Sequence, residues 1–310
     1  MGTDPTRPVV LVLTRMDPRL FDPVRSVADV VLAASVEAAP AAARDRCRVV
    51  VLRSECSLRL PSLDLLPRLT DVVRPGSGTD NIDLVELRRR GISLHCNPDA
   101  SAGSVAELAL AALTLLCRQV PLGHALLRSG VHDKHRLMGE PVTALNLTVW
   151  GAGPVGRAVA RRAVSMGLET RFVAHPSVPA DLPQAERAVA LRECDAHVIA
   201  LPLRDSTVGV VDAAWLRQAA DRRPYLVDVS RFGICVLSAV EEALSAGALR
   251  GFFLDPVDAE HAEQVRRLLE RVGDRNVLVS QHQGAQRSDI RAELNHWAVS
   301  RVHAALTRDT

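Results

Sequence analysis

Short aliphatic, β-branched runs alternate with stretches of helical periodicity along almost the whole chain. In the first third, runs at 8–14, 29–33, 48–53, 70–74 and 92–95 predict strands, with a helical pattern at 83–90 between the last two. At Ser104 the pattern changes. Ser104-Val-Ala-Glu107 has the form of a capping box and predicts the start of a long apolar helix running through Leu108, Leu110, Leu113 and Leu116 to about Arg118. A second alternating series follows, with strands at 147–150, 169–174, 196–201, 225–229, 251–254 and 277–280. Helices are predicted at 155–166, 212–220, 259–272 and from a second capping box, Ser238-Ala-Val-Glu241, to a C-cap at Gly247. Strands joined by crossover helices predict parallel sheets.

The six strands of the second series suffice for a doubly wound unit. The expected architecture is therefore α/β, with two doubly wound parallel-sheet domains: a Rossmann dinucleotide-binding domain at 104–283, inserted in a flavodoxin-like domain formed by 1–103 and 284–310. At 310 residues the chain is long enough for two domains. An aromatic content of only 3% means that aliphatic residues must build most of the core, which suits strands buried on both faces.

A formal net charge of +2 and the lack of a basic run interleaved with aromatics argue against nucleic acid as a partner. The six cysteines are scattered, with no Cys-x-x-Cys pair, so neither a metal site nor a redox motif is expected. The N-terminus lacks the layout of a signal peptide, and no apolar run reaches the ~18 residues of a membrane span. A cytoplasmic protein without membrane association is expected.

Gly151-Ala-Gly153-Pro154-Val155-Gly156 lies between a predicted strand and a predicted helix. Chemistry gives each position a task. Gly151 makes the tight turn, Gly153 lets the backbone approach a pyrophosphate, and Gly156 allows close helix–strand packing. The helix N-terminus offers N–H groups to the anion, and Pro154 gives up one that the helix does not need. The next strand should end in an acidic residue that holds the ribose 2′-hydroxyl of NAD, but the sequence there is Phe172-Val-Ala174-His175-Pro-Ser177. Without a carboxylate, repulsion of a 2′-phosphate is removed. His175, Ser177 or Arg171 then becomes a candidate contact, which favours NADP over NAD without excluding NAD.

Three further segments follow predicted strands: Asp228-Val-Ser-Arg231-Phe-Gly, Leu254-Asp255-Pro-Val-Asp-Ala-Glu260 and Val279-Ser-Gln-His282-Gln-Gly284. With Arg74-Pro-Gly-Ser-Gly-Thr-Asp-Asn-Ile-Asp83 and Ser104-Val-Ala-Glu107, they make the chain resemble the D-isomer-specific 2-hydroxyacid dehydrogenases from about Arg48 to the C-terminus. The resemblance implies that Arg231 binds the substrate carboxylate and polarises the keto oxygen, a task suited to a planar fork of donors. It implies that His282 exchanges a proton with that oxygen, and that Glu260 orients the imidazole and stabilises its charged form. It also places Ser77 and Gly78 in a loop whose N–H groups meet the substrate carboxylate. Val229, Ser230 and Asp255 fall at the nicotinamide pocket, Pro202 on the adenosine side, and Ala174, His175 and Ser104 among the cofactor contacts.

Residue by residue, plainer readings stand beside these. Glu260 also suits the first turn of the helix at 259–272, where the dipole favours a carboxylate. His261 is expected in solvent, Asp80 and Asp83 as helix caps, and Glu107 as part of its capping box. The chain departs from the family pattern at Phe232, where Gly usually follows the arginine, and at Gln281, where Pro usually precedes the histidine. His132 stands where a Trp is often found, and Ser77 replaces the lysine carried by phosphite-oxidising relatives.

The reading is an enzyme that reversibly reduces a small 2-oxo acid to the D-2-hydroxy acid with NAD or NADP, possessing Phe232 and Gln281 as marks of a non-standard substrate. Assembly as a homodimer is expected from the resemblance. The alternative is a dehydrogenase-like dinucleotide sensor or corepressor without turnover. Retention of the Arg, Glu and His set favours the enzyme.

Overall fold

The computed structural model describes residues 6–175, 178 and 182–308. The chain divides into two compact units, Met1–Ser101 with Arg287–Thr310, and Ala102–Gln286. The divisions thus fall two and three residues from the positions expected from sequence.

The first unit carries β1 (Val9–Val12), β2 (Asp29–Leu32), α1 (Ala41–Arg44), β3 (Cys47–Val51), α2 (Leu60–Asp64), β4 (Asp71–Arg74), α3 (Leu84–Arg89) and β5 (Ser93–Cys96). The second begins with α4 (Ala102–Cys117), α5 (Val120–Arg128), β6 (Asn146–Trp150), α6 (Pro154–Ser165), β7 (Glu169–Val173), β8 (Gln184–Ala185), α7 (Arg187–Glu193) and β9 (Ala196–Ile199). It continues with α8 (Ala213–Ala219), β10 (Tyr225–Asp228), α9 (Leu237–Ser245), β11 (Gly251–Leu254), α10 (Ala262–Val272) and β12 (Val277–Val279). The final helix, α11 (Ser288–Leu306), returns to the first unit.

Strands of the first unit are ordered β2-β1-β3-β4-β5, and every pair is parallel. This is the flavodoxin-like order. Successive residues of β3 bury opposite faces: Val50 joins a core with Leu63 and Leu87, while Val49 and Val51 join another with Ala298 and Val302 of α11. Asp83 caps α3, its Oδ1 accepting from the Glu86 N–H at 2.9 Å. The carboxylate of Asp71, almost fully buried, accepts from His95 Nε2 at 2.7 Å and from Arg308.

The second unit has a seven-stranded parallel sheet ordered β12-β11-β10-β9-β6-β7-β8. Sequence periodicity predicted six of its strands but neither the two-residue β8 nor α7. Both faces are buried, as alternate residues show: Val149, Val198, Val227 and Phe253 face the α4–α6 side, while Trp150, Ile199, Leu226 and Phe252 face the α8–α10 side. The few aromatics are concentrated in the core. Four of the five phenylalanines are fully buried, and Phe232 is the exception.

Both expected capping boxes are corrected. Ser104 and Glu107 lie inside α4, which starts at Ala102, and α9 starts at Leu237 with no side-chain bond at its N-cap, Val236. In each case apolar residues just before the serine, Ala102 and Leu237, are themselves buried and carry the helix one or more residues further back. Among the described residues no single helix is long and apolar enough to cross a membrane.

Candidate active site

Strand order in the second unit reverses between β6 and β9, and in open α/β sheets ligands bind outside the carboxyl ends of strands at such a switch point. The glycine-rich loop leaves β6 there. Gly151 has φ +105°, and a Cβ on it would lie 2.5 Å from the Ala200 carbonyl oxygen. A Cβ on Gly156 would lie 1.9 Å from the Gly151 carbonyl oxygen, so α6 can approach β6 only with glycine at this position. Gly153 differs: among the described residues, a Cβ there would meet nothing within 4 Å. As N-cap of the twelve-residue α6 it has no side chain to offer the helix, and Pro154 takes the first turn. Its backbone therefore borders open space at an uncapped helix N-terminus, which suits the approach of an anion. Val155 is half-buried against the core.

At the end of β7 the Ala174 N–H donates to the Ala185 carbonyl at 2.8 Å, and His175 is exposed. Arg171, named above as a phosphate contact, is paired with Glu169 at 2.5 Å and lies 3.9 Å from Glu193. Ser177 lies outside the described residues. After β9, Pro202 is exposed and its carbonyl accepts from Thr207 Oγ1 at 2.6 Å. Ser230 Oγ accepts from the Leu201 N–H at 3.2 Å, tying the end of β9 to that of β10. Val229 is buried beside it. Ser104, buried within α4, is not at an exposed helix start.

Three adjacent strand ends deliver the remaining polar side chains: Arg231 follows β10, Asp258 follows β11 and His282 follows β12. His282 has φ +55°, a left-handed conformation costing about 1 kcal/mol for a residue with a Cβ. Asp255 holds the loop in that shape. Its Oδ1 accepts from Ser280 Oγ at 2.6 Å and the Gln283 N–H at 2.7 Å, and its Oδ2 accepts from the Gly284 N–H at 3.2 Å. Asp255 thus braces both sides of His282.

The imidazole meets a carboxylate other than the expected one. His282 Nδ1 lies 2.8 Å from Asp258 Oδ1. Glu260 is 79% exposed, and its Oε1 is 3.7 Å from His261 Nε2. The cause is the 3-10 turn Ala259–His261 that precedes α10. With about three residues per turn, Asp258 and His261 share a side and Glu260 falls on another. His261 is not in solvent as expected. Its ring stacks on Phe232 at 3.8 Å between centroids and 17° between planes, and its Nδ1 is buried without a hydrogen-bond partner among the described residues. Phe232, read above as a mark of a non-standard substrate, is half-buried against this ring. Gln281 is exposed.

The electrostatics follow the same geometry. The hydrogen bond from His282, reinforced by the nearby charges of His261 and Arg231, holds the Asp258 carboxyl below its usual range. Arg231 donates to the Ser230 carbonyl at 2.7 Å. Asp228, at the end of β10, is fully buried. Desolvation pushes its pKa up to about 6 despite the hydrogen bond from the Ser230 N–H.

A family model described as the NAD binding domain of D-isomer specific 2-hydroxyacid dehydrogenases matches residues 110–284, more than half of the chain. The chain belongs to that family. It is 29% identical over 246 residues to D-3-phosphoglycerate dehydrogenase of Rattus norvegicus, a match covering 77% of this chain and 45% of the rat protein. A match to hydroxypyruvate reductase of Thermotoga maritima is 27% identical over 263 residues and covers 83% of this chain and 84% of that one. The chain therefore spans about half the length of the phosphoglycerate dehydrogenases it matches. Among solved structures, D-lactate dehydrogenase from Aquifex aeolicus, complexed with NAD and lactic acid, superposes with a TM-score of 0.84 at 18% identity, covering 97% of this chain and 96% of that one. A glyoxylate reductase from Paecilomyes thermophila gives 0.85 at 19% identity, covering 98% and 96%. Both share the fold of two parallel-sheet α/β domains.

A family dinucleotide fits the residues present. The open backbone at Gly153, the uncapped start of α6 and the small residue Ala174 at the end of β7 leave room for its phosphates and ribose. Sequence reasoning missed Asp258 and the inward-facing His261. The signal for Asp258 was present, as one of two carboxylates in Asp258-Ala-Glu260, but choosing between them required the turn that separates their side chains.

Proposed function

We propose that the chain is an NAD(P)-dependent oxidoreductase that interconverts a small 2-oxo acid and the corresponding D-2-hydroxy acid. The observation that carries this reading is a carboxylate-held imidazole, His282 after β12, and a guanidinium, Arg231 after β10, on the two strands that flank β11 in a dinucleotide-type sheet. Because Nδ1 faces a carboxylate, that nitrogen carries a proton, and Nε2 is the atom left to exchange one with substrate.

In the reductive direction Arg231 engages the substrate carboxylate and draws electron density towards the keto oxygen. His282 Nε2 gives its proton to that oxygen as C2 is reduced, and recovers it in the oxidative direction. When bound, the dinucleotide supplies or accepts the hydride. Asp255 keeps the His282 loop in its left-handed form throughout. Ser77 and Gly78, in the loop after β4 of the first unit, belong to the same proposal as backbone donors to the substrate carboxylate. The missing carboxylate at the end of β7 supports NADPH as the preferred reductant. The half-buried Phe232–His261 pair supports a 2-oxo acid outside the commonest few.

The purified protein, mixed with NADH or NADPH and a broad panel of 2-oxo acids, should consume reduced nicotinamide, with a lower KM for NADPH. His282→Ala should lower kcat by at least about a hundredfold while cofactor binding persists. Cofactor binding with no acid reduced would reject the enzyme in favour of a sensor.

A further inference from the structure

We propose that Asp258 is the positioning residue for His282 in this chain, and that Glu260 takes no part in the reaction. The proposal rests on the reading of His282 as the proton donor and acceptor. It concerns a residue that a motif-by-motif transfer from the family passes over.

Three observations support it. The first is the contact itself: 2.8 Å between Asp258 Oδ1 and His282 Nδ1, against an exposed Glu260 whose nearest imidazole is His261. The second is the packing that prevents an exchange of roles. Stacking on Phe232 fixes His261 at the end of the 3-10 turn, and this orientation leaves Glu260 facing outward. Phe232 occupies the position directly after Arg231, where glycine would have no ring to stack. The departure at 232 and the change of carboxylate are thus parts of one rearrangement. The third is the shorter reach of aspartate, which suits the place of Asp258 in the loop after β11 as the extended N-cap of the 3-10 turn, with φ −88° and ψ 163°.

Charged and titratable groups face Asp258 from each neighbouring segment: His282 after β12, His261 in the turn and Arg231 after β10. One carboxylate therefore serves the proton-transfer group and also lies in the field of the substrate anchor. Removing its charge should affect both proton transfer and anion binding.

The test compares Asp258→Asn, Asp258→Glu and Glu260→Gln by their pH profiles of kcat and kcat/KM. In Asp258→Asn the imidazolium loses its partner. The fall of reductive activity with rising pH should then begin about one unit lower, and kcat should drop about a hundredfold. Asp258→Glu should restore part of kcat and move the profile back. Glu260→Gln should leave the profile in place and kcat within about twofold. Circular dichroism and NADPH titration separate loss of fold from loss of function, since a partly exposed aspartate is not needed to hold the core. A profile shift in Glu260→Gln, or none in Asp258→Asn, would overturn the proposal. Full activity in His282→Ala would instead overturn the functional reading on which it rests.

Discussion

The seven-stranded sheet of the second unit has two ends built from the same strands, and they treat charge in opposite ways. At the amino ends, polar groups close on one another. Asp195 accepts from Arg222 and from the Asn146 N–H at 3.1 Å, with Arg250 3.7 Å away. Glu140 accepts from Arg250 and from the Tyr225 hydroxyl at 2.7 Å, and Arg250 lies over the Tyr225 ring at 4.6 Å. Asn276 Nδ2 donates to the Leu116 carbonyl at 2.9 Å. At the carboxyl ends, Gly153 borders open space among the described residues, and His282 is held left-handed. Ion pairs within the protein close one end, while the other leaves backbone open at a helix N-terminus.

Each end can therefore be disturbed separately. Arg250→Met removes a shared partner of Glu140 and Asp195, leaving the nearly buried Asp195 with fewer donors. We expect a loss of about 2–3 kcal/mol in urea unfolding, reduced from the full cost of breaking a buried pair because Arg222 remains. NADPH affinity should be unchanged. Weaker NADPH binding in that variant would break the division between the two ends.

A smaller effect is expected at Asp228. Its folded pKa, about 6, lies above the ordinary 3.8 of an aspartate, so the native state holds its proton more tightly than the unfolded chain does. The Asp228 contribution to stability therefore falls as pH rises from about 4 through 6. Asp228→Asn should remove that slope, so that the variant gains on wild type as pH rises between those limits. His197 works in the other direction. Full burial between Trp150 and Trp215 lowers its pKa to about 3, so its contribution is lost as pH falls below about 6.5. Both proteins contain His197, so the difference between their pH–stability curves isolates Asp228. Parallel curves would count against this account.

Much of this contrast was legible in the sequence on the binding side. The Gly151–Gly156 loop and the strand-end positions of Arg231 and His282 follow from residue type and spacing, because continuous aliphatic runs locate buried strands and glycine marks close backbone approach. The amino-end network was not legible. Glu140, Asp195 and Arg250 are far apart in sequence and meet only through strand order. Asp258 and Glu260 show a finer limit: two carboxylates one residue apart are equivalent as letters, and a 3-10 turn with a ring stacked behind it distinguishes them. The start of α4 shows another. Ser104-Val-Ala-Glu107 has the form of a cap, but burial of Ala102 extends the helix past it.

The most direct test of the carboxyl end as the dinucleotide site is a fluorescence titration of NADPH into wild type and Gly153→Ala, with melting curves recorded alongside. In the free protein the added methyl meets none of the described residues and the backbone, at φ −71°, accepts alanine without strain, so the melting temperature should hold. Only a ligand lying against Gly153 would meet that methyl. The account predicts binding weaker by at least about tenfold, a difference of about 1.4 kcal/mol. Equal affinity in the two proteins would contradict it.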